Sequence, residues 1–315
     1  MKHDIQKCYP IILQTGKEKR MLEPKYQTSL TKLQTILREM ESVLVAFSGG
    51  VDSALVLKVA VEELGDKAIA LTAISPTFPP EEQAEAIKIA QSINVEHILI
   101  DSNELEEEGY AQNSGDRCYF CKSELFDLAQ KVASKRGIPF VLDGTIMDDL
   151  GEHRPGLKAA EEKYIRHPLV EAGMNKDSVR TIAKYKGLSI WSKPAFACLG
   201  SRFPVGTRVT FTRIQQVQRV ESHLRLIGLK QFRARWHELE SHPMVRLELS
   251  PEDMSVMLQP DIRDSIVAIC KAEGFRWVTM DLMGYQRGSL SNSLIQKVND
   301  TSKKQPPKQL KFGLN

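Results

Sequence analysis

A glycine-rich hexapeptide, Ser48-Gly49-Gly50-Val51-Asp52-Ser53, connects an apolar run at 43–47 to a stretch of helical periodicity at 53–64. Its two glycines let the backbone turn tightly and approach an anion with no Cβ in the way. The free N–H groups, the positive end of the following helix and the two serine hydroxyls are donors for phosphate oxygens. The hexapeptide lacks the lysine that a Walker loop places on the terminal phosphates. We therefore predict a phosphate-binding loop, called the phosphate loop below.

Apolar runs and helix-like stretches alternate along the first half of the chain. The runs are continuous and contain many β-branched residues, as strands buried on both faces of a parallel sheet do. This alternation predicts an α/β fold with a doubly wound parallel sheet, which binds ligands at the carboxyl ends of its strands. The predicted strands are 43–47, 68–74, 98–100 and 140–142, and the predicted helices are 53–64, 81–93 and 122–135.

The alternation ends near Lys193-Pro194, and the pattern that follows indicates a second, smaller α+β domain. Its predicted helices lie near 213–226 and 261–272, and its predicted strands near 232–236, 245–249 and 277–280. We expect four segments: an N-terminal extension (1–28), a nucleotide-binding domain (29–204), the smaller α+β domain (205–298) and a disordered Lys/Pro-rich tail (299–315).

The composition is that of a soluble globular protein, with 42% hydrophobic and 26% charged residues among 315. The formal net charge of +3 comes from a basic excess at both ends, because the segment 29–298 is net negative. A chain with this distribution is not expected to bind nucleic acid. No apolar stretch approaches the roughly 18 residues of a membrane span, and the N-terminus lacks the order of a signal peptide. We expect a cytoplasmic protein without a membrane partner.

Five cysteines, an odd number, do not indicate a disulfide framework in a chain of this size. Cys118 and Cys121 form a CxxC motif after the third predicted strand, and Cys198 follows a later segment. The residues alone leave three interpretations open: a redox or persulfide pair, structural thiols, or part of an iron–sulfur site. A zinc site would need a fourth ligand, and no partner motif is present. Three thiolates would leave one iron of a cubane cluster open to an exogenous ligand such as sulfide.

The phosphate loop resembles the SGGxDS loop of the ATP-pyrophosphatase (PP-loop) superfamily, whose fold is adenine nucleotide alpha hydrolase-like. The superfamily includes GMP and NAD synthetases and tRNA thiolation enzymes. The resemblance implies that the domain at 29–204 binds ATP with Mg²⁺ and adenylates a substrate oxygen. The loop would hold the departing pyrophosphate, and stabilising that leaving group lowers the barrier.

Further motifs make the chain from about Lys32 to Asn292 resemble one branch, the LarE family. Its members are sulfurtransferases that adenylate a carboxylate of a pyridinium biscarboxylic acid mononucleotide and convert it to a thiocarboxylate, in synthesis of the nickel-pincer cofactor of lactate racemase. The resemblance implies this substrate, sulfide or another sulfur donor, and a homo-oligomer. The motifs are Leu142-Asp143-Gly144, Arg154–Ala159, Ser201–Pro204, Arg233-Ala234-Arg235 and Val278–Leu282.

The family has two sulfur sources. One type gives up the sulfur of a single cysteine and is left with dehydroalanine. The other type carries three cysteines that hold a 4Fe-4S cluster, whose open iron takes sulfide. Cys118, Cys121 and Cys198 match the three-cysteine pattern, which implies such a cluster. If the sacrificial type applied instead, Cys198 would be the donor, since its segment carries the single cysteine of that type.

The resemblance also implies roles for single residues, with an exposed or structural side chain as the alternative for each. Guanidinium groups that alternate along a strand share one face, and their paired donors suit a mononucleotide phosphate. The implied residues are Cys198, Lys122 and Asp52 for catalysis; Ser48, Gly49, Gly50, Asp52, Ser53, Asp143 and Gly144 for the nucleotide; Ser201, Arg202, Arg233, Arg235 and Glu221 for the substrate; and Cys118, Cys121 and Cys198 for the metal cluster.

Three other functions compete with this hypothesis. A tRNA thiolation enzyme has a similar loop and cysteines, but the net negative middle of this chain argues against tRNA, whose binding needs phosphate neutralisation. In an amidotransferase of the GMP or NAD synthetase type, the three cysteines would have no function. A non-catalytic nucleotide-binding or iron–sulfur protein would form no AMP with any carboxylate.

Overall fold

The computed structural model describes residues 21–150, 155–194, 197–240 and 242–286. The predicted tail, Arg154 and residues 1–20 of the predicted N-terminal extension lie outside these ranges. The helices are α1 Pro24–Arg38, α2 Val51–Leu64, α3 Pro80–Ile93, α4 Glu108–Ala111, α5 Arg117–Arg136, α6 Pro155–Glu162, α7 Pro168–Glu171, α8 Lys176–Tyr185, α9 Phe211–Leu226, α10 Pro251–Met257 and α11 Pro260–Ala272. The strands are β1 Val43–Ala46, β2 Ala68–Ile74, β3 Glu96–Asp101, β4 Phe140–Leu142, β5 Phe232–Leu239, β6 His242–Leu249 and β7 Trp277–Met280.

The first sheet has four parallel strands in the order β3-β2-β1-β4. Val43 of β1 is in register with Ala68 of β2 on one side and Phe140 of β4 on the other. All four residues of β1 are buried, as expected for a central strand covered on both faces. The predicted α/β fold with a doubly wound parallel sheet is confirmed.

Alternate residues of β1 face two separate layers of helices. Val43 and Val45 join a core with the buried faces of α1, α2, α3 and α8. Leu44 and Ala46 join a core with α5 and α6 on the opposite face. This division follows from the two-residue period of a strand. The carboxyl end of β1, where the phosphate loop begins, is therefore enclosed between the two layers.

The second sheet is smaller and mixed, because β5 pairs with β6 antiparallel and β6 pairs with β7 parallel. One face carries Phe232, Ala234 and Trp236 into a core with α9 and α11. The opposite face carries Arg233 and Arg235, as the alternation predicted. The core under this sheet also contains residues of the first half of the chain, Tyr110 among them. The segment boundary at 204 remains a prediction.

No helix in the part of the chain that the structure describes is long and apolar enough to span a bilayer.

The docking of α1 makes a testable prediction about stability. Leu33 of α1 is fully buried in the core that contains α2, while its neighbour Lys32 is exposed. Leu33→Ala is expected to lower the free energy of unfolding by about 2–5 kcal/mol, since it removes buried methyl groups and leaves a cavity. Lys32→Ala, the matched control, should change it by less than about 0.5 kcal/mol. Equal urea midpoints for the two variants would contradict this packing of α1.

Candidate functional site

The phosphate loop leaves the N-terminus of α2 open. Gly50 occupies the N-cap position, and no side chain caps it. Gly49 has a φ of 70°, and a Cβ at this position would lie 2.9 Å from the Cβ of Ala86 on α3. Another residue there would push the loop away from α3 and strain the backbone. The free N–H groups of the first turn therefore remain available to an anion.

A second glycine brings the end of β4 against the start of α2. A Cβ on Gly144 would lie 2.6 Å from the backbone nitrogen of Ser53. Asp143, immediately before it, is buried beside the phosphate loop. Asp143 and Gly144, which were predicted to bind the nucleotide, therefore lie against the phosphate loop and line the same cavity.

The carboxyl ends of the strands open into one cavity of about 650 Å³. It is bounded by segments that follow β1, β2, β3 and β4, by the first turn of α5 and by the Cys198 segment. The cavity is of the size that small ligands occupy in proteins. Of the predicted residues, those lining it are Ser48, Gly50, Asp52, Ser53, Cys118, Cys121, Lys122, Asp143, Gly144 and Cys198.

Asp52 of the phosphate loop is paired with a lysine that sequence reasoning missed. The Nζ of Lys176, the first residue of α8, lies 2.8 Å from Oδ1 and 2.7 Å from Oδ2 of Asp52. Burial raises the pKa of Asp52, and the hydrogen bond from Lys176 partly offsets that rise. One signal was available in the sequence: a cation in the first turn of a helix opposes the helix dipole and needs an anionic partner. Lys176 supplies a positive charge where the loop has none of its own.

Asp143, which lines the cavity, forms an ion pair with His167. The Nδ1 of His167 lies 2.7 Å from Oδ1 of Asp143, and the hydroxyl of Thr145 donates to Oδ2 at 2.8 Å. Burial raises the pKa of Asp143, but the hydrogen bond from His167 and the charge of Lys122 outweigh it, so the net pKa is low. Burial lowers the pKa of His167, but the hydrogen bond to Asp143 outweighs the effect of burial, so the pKa of His167 is raised above its usual value.

The three cysteines of the predicted cluster line the same cavity. Cys118 and Cys121 lie in the first turn of α5, and Cys198 directly precedes a short 3₁₀ turn. Burial raises the pKa of Cys121 well above its usual range, and the Cys198 thiol raises it further. Among the described residues, no group of three or more His, Cys, Asp or Glu side chains could hold a metal ion. Cys270, by contrast, is a core residue of α11, and burial raises its pKa to about 12.

The residues predicted to bind a substrate lie near Cys198, and most of them are paired within the protein. Arg202 donates two hydrogen bonds to the buried Glu221, both of 2.8 Å. Arg235 donates to Glu248 and to the carbonyl oxygen of Ser201. These pairs hold the 3₁₀ turn after Cys198 against the second sheet. Their role in binding a substrate remains a prediction.

Arg233 differs from Arg202 and Arg235, because it makes no ion pair with any described residue. Its guanidinium donates to the carbonyl oxygen of Phe232 and lies 5.0 Å from the ring centre of Tyr285. Its other donors are therefore available to an anionic ligand.

Comparison with known proteins supports the resemblance that the motifs indicated. The family model of NAD synthase matches residues 27–123. An uncharacterised protein of Synechocystis is 43% identical over 88% of this chain and 100% of its own length. The pyridinium-3,5-bisthiocarboxylic acid mononucleotide synthase of Lactiplantibacillus plantarum is 36% identical over 85% of this chain and 96% of its own length. An uncharacterised protein of Methanocaldococcus jannaschii is 27% identical over 82% of this chain and 97% of its own.

The pair between Lys176 and Asp52 predicts an effect on nucleotide binding. Lys176→Met removes the cation and leaves the Asp52 carboxylate facing the phosphates, so we expect ATP to bind at least about tenfold more weakly, a loss of about 1.4 kcal/mol. Lys186→Met is the matched control, because Lys186 lies just after α8 and pairs with Glu62, outside the cavity. Calorimetric titration with ATP measures both, and equal affinities would refute the role of Lys176.

The pair between His167 and Asp143 predicts a pH-dependent stability. Because the pKa of His167 is raised, its protonated form contributes stability fully below the usual value of 6.5, and this contribution is lost as the pH rises through the raised pKa. His167→Asn should therefore cost more free energy of unfolding at about pH 5.5 than at about pH 8.5. Thr145→Val removes a hydrogen bond that a non-titrating hydroxyl donates to Asp143. The free energy of unfolding that it costs should therefore be the same at both pH values. A cost of His167→Asn that is independent of pH would contradict the assignment.

Proposed function

The chain belongs to the LarE family of pyridinium-3,5-bisthiocarboxylic acid mononucleotide synthases, and from this premise we propose that it is an ATP-dependent sulfurtransferase. The PP-loop domain and this relationship mark it as an ATP-using enzyme. The proposed substrate is a pyridinium biscarboxylic acid mononucleotide, and the product is its thiocarboxylate for a nickel-pincer cofactor. The observation that carries the proposal is that one cavity holds both the phosphate loop and three cysteines.

The first half-reaction is adenylation. A carboxylate oxygen of the substrate attacks the α-phosphate of ATP, a P–O bond breaks, and pyrophosphate leaves. The open N-terminus of α2 and the hydroxyls of Ser48 and Ser53 bind the phosphates and stabilise the departing pyrophosphate, and Lys176 offsets the negative charge of Asp52 beside them. Mg²⁺ accompanies ATP. Lys122, which also lines the cavity, stabilises the acyl adenylate.

The second half-reaction transfers sulfur. A sulfur nucleophile attacks the acyl carbon of the adenylate, a C–S bond forms, the C–O bond to phosphate breaks, and AMP leaves with the electron pair. If the nucleophile is hydrosulfide, the product is the thiocarboxylate directly. If it is the Cys198 thiolate, a thioester forms, and loss of the Cα proton with cleavage of the Cβ–S bond leaves dehydroalanine. Neither route requires an oxidant or a reductant.

The residues present match a 4Fe-4S cluster in the kind and number of their donors. Cys118, Cys121 and Cys198 are three thiols on the wall of one cavity, and none of them is in a disulfide. Cluster cysteines bind different irons, so they do not have to meet around a single ion as the ligands of zinc do. Bound there, a cluster would supply an open iron for external sulfide. We propose that these three residues hold it.

The phosphate of the mononucleotide is proposed to bind at Arg233. Of the three predicted arginines, Arg202 and Arg235 are held by Glu221 and Glu248, whereas Arg233 has donors to spare. Ser201, between Cys198 and Arg202 on the short turn, joins the phosphate site to the sulfur donor. In this arrangement Arg202, Arg235 and Glu221 shape the site, and Arg233 provides the charge.

The cysteines give the test of this proposal. Purified without oxygen, the protein should carry roughly four irons and matching sulfide per chain. The Cys118→Ala/Cys121→Ala variant should lose both, and Cys8→Ala, the matched control, should keep them. The wild type should form AMP, pyrophosphate and thiocarboxylate from ATP and the mononucleotide.

Two results would revise the proposal in different ways. A colourless, iron-free wild type that still forms thiocarboxylate would exclude the cluster and leave Cys198 as the donor; each chain should then react once and lose the mass of one hydrogen sulfide. A protein that forms no AMP with the mononucleotide would exclude the enzyme activity itself.

A further inference from the structure

One buried carboxylate in the wall of the cavity has no cation beside it. Glu104 lies in the short 3₁₀ turn that follows β3, is 1% exposed and lines the cavity. Its Oε1 accepts hydrogen bonds from the hydroxyls of Ser75, at 2.9 Å, and of Thr77, and both residues line the cavity as well. Its Oε2 accepts no hydrogen bond from another described residue, and no basic side chain among the described residues forms an ion pair with Glu104.

The other buried carboxylates in the described part of the chain are compensated by the protein itself. Asp143, Glu221 and Glu248 each pair with a histidine or an arginine, and Asp253 accepts hydrogen bonds from two backbone N–H groups. A buried carboxylate without such a partner is costly in its ionised form. The folded chain therefore leaves the charge of Glu104 to be compensated by something that enters the cavity.

The electrostatics of Glu104 agree with this geometry. Burial raises the pKa of Glu104, the two hydroxyls partly offset that rise, and the carboxylate of Glu124 adds to it. Lys122, the one basic side chain among the residues that line the cavity, acts instead on Asp143, whose pKa its charge lowers. A cation from a ligand would favour the ionised form of Glu104.

Two hydrogen bonds connect Glu104 to the segment of Cys198. Thr77, whose hydroxyl donates to Glu104, accepts at its carbonyl oxygen a hydrogen bond of 2.9 Å from the backbone N–H of Leu199. Leu199 directly follows Cys198, which lines the same cavity. A single residue, Thr77, thus joins the uncompensated carboxylate to the proposed sulfur site.

The proposed substrate brings a positive charge to this part of the cavity. Its carboxyl groups are bonded directly to the pyridinium ring, so the acyl carbon that meets sulfur near Cys198 carries the charged ring with it. The ring is the only cationic group of the mononucleotide, whose other charges are the negative ones of phosphate and carboxylates. A carboxylate in a buried wall attracts such a cation more strongly than it would in water.

We propose that Glu104 is the counter-charge for the pyridinium ring and makes the site specific for mononucleotides whose ring carries a fixed positive charge. This inference rests on the proposed function for the class of substrate. Ser75 and Thr77 hold Oε1, and Oε2 is left for the ring. The pairing keeps the ring beside the Cys198 segment and so presents its acyl carbon to the sulfur. A neutral ring would leave Glu104 buried without a partner, and the site would discriminate against it.

Nicotinamide mononucleotide tests the role of the charge, because reduction of its ring removes the positive charge and leaves the ribose and the phosphate in place. Calorimetric titration of the full chain, without ATP or Mg²⁺, gives the dissociation constants of the oxidised and the reduced form. The wild type should bind the oxidised form at least about tenfold more tightly than the reduced form. Glu104→Gln should lower this ratio to less than about twofold, by weakening the binding of the oxidised form alone.

Glu106→Gln is the matched control. Glu106 lies in the same short turn as Glu104, but it is exposed and accepts a hydrogen bond from Asn103, so its ratio should equal that of the wild type. A merely structural role of Glu104 would weaken both forms alike. Glu104→Met, uncharged and of similar size, has the same expected ratio and replaces Glu104→Gln if melting temperatures show that the latter has not folded.

The outcomes separate this inference from the proposed function. Equal affinities of the wild type for the two forms, or binding of neither form at millimolar concentration, would overturn the inference, as would a wild-type ratio in Glu104→Gln. If the protein forms AMP and thiocarboxylate from the biscarboxylate mononucleotide but binds the two forms equally, only the inference fails. If it forms no AMP, the proposed function fails, and the two affinities still decide whether Glu104 recognises a cationic ring.

Discussion

The close approach of two chain segments to the start of α2 is the constraint on which the rest of the site depends. Gly49 allows α3 to pack against the phosphate loop, and Gly144 allows the end of β4 to reach the backbone of Ser53. A side chain at either position would collide with the facing segment and push the two apart. In the proposed function, this group of backbone N–H donors determines where the phosphates bind, and with it where the acyl carbon meets the sulfur.

The sequence predicted the features that depend on local pattern. Continuous apolar runs identified the four strands of the parallel sheet, because a strand such as Val43–Ala46 is buried on both faces whatever its neighbours are. The glycines of the phosphate loop are recognisable for a similar reason, since the backbone conformation at Gly49 requires them. Because ligands bind at the carboxyl ends of strands, the CxxC motif was predicted to lie at the same edge of the sheet as the phosphate loop. Both line the same cavity.

Features that depend on distant pairing were not predictable. Lys176 and Asp52 are far apart in the sequence, and a cation in the first turn of a helix indicates that an anionic partner is needed without identifying it. Arg202 and Arg235 were predicted to bind a substrate, with an exposed or structural role as the alternative, and the structure shows each one bound to a buried carboxylate. An isolated arginine in a sequence does not reveal whether its charge is already neutralised by the fold, and only the pairing singles out Arg233.

If ATP activates a carboxylate before sulfur replaces its oxygen, that oxygen must be transferred to AMP, and isotope labelling reveals this transfer. The mononucleotide would be prepared with ¹⁸O in its carboxylates and incubated with the protein, ATP and Mg²⁺, and the AMP analysed by mass spectrometry. The account predicts a single labelled oxygen in each AMP, since the oxygen that attacks the α-phosphate leaves with it. AMP without label, formed together with thiocarboxylate, would contradict the account.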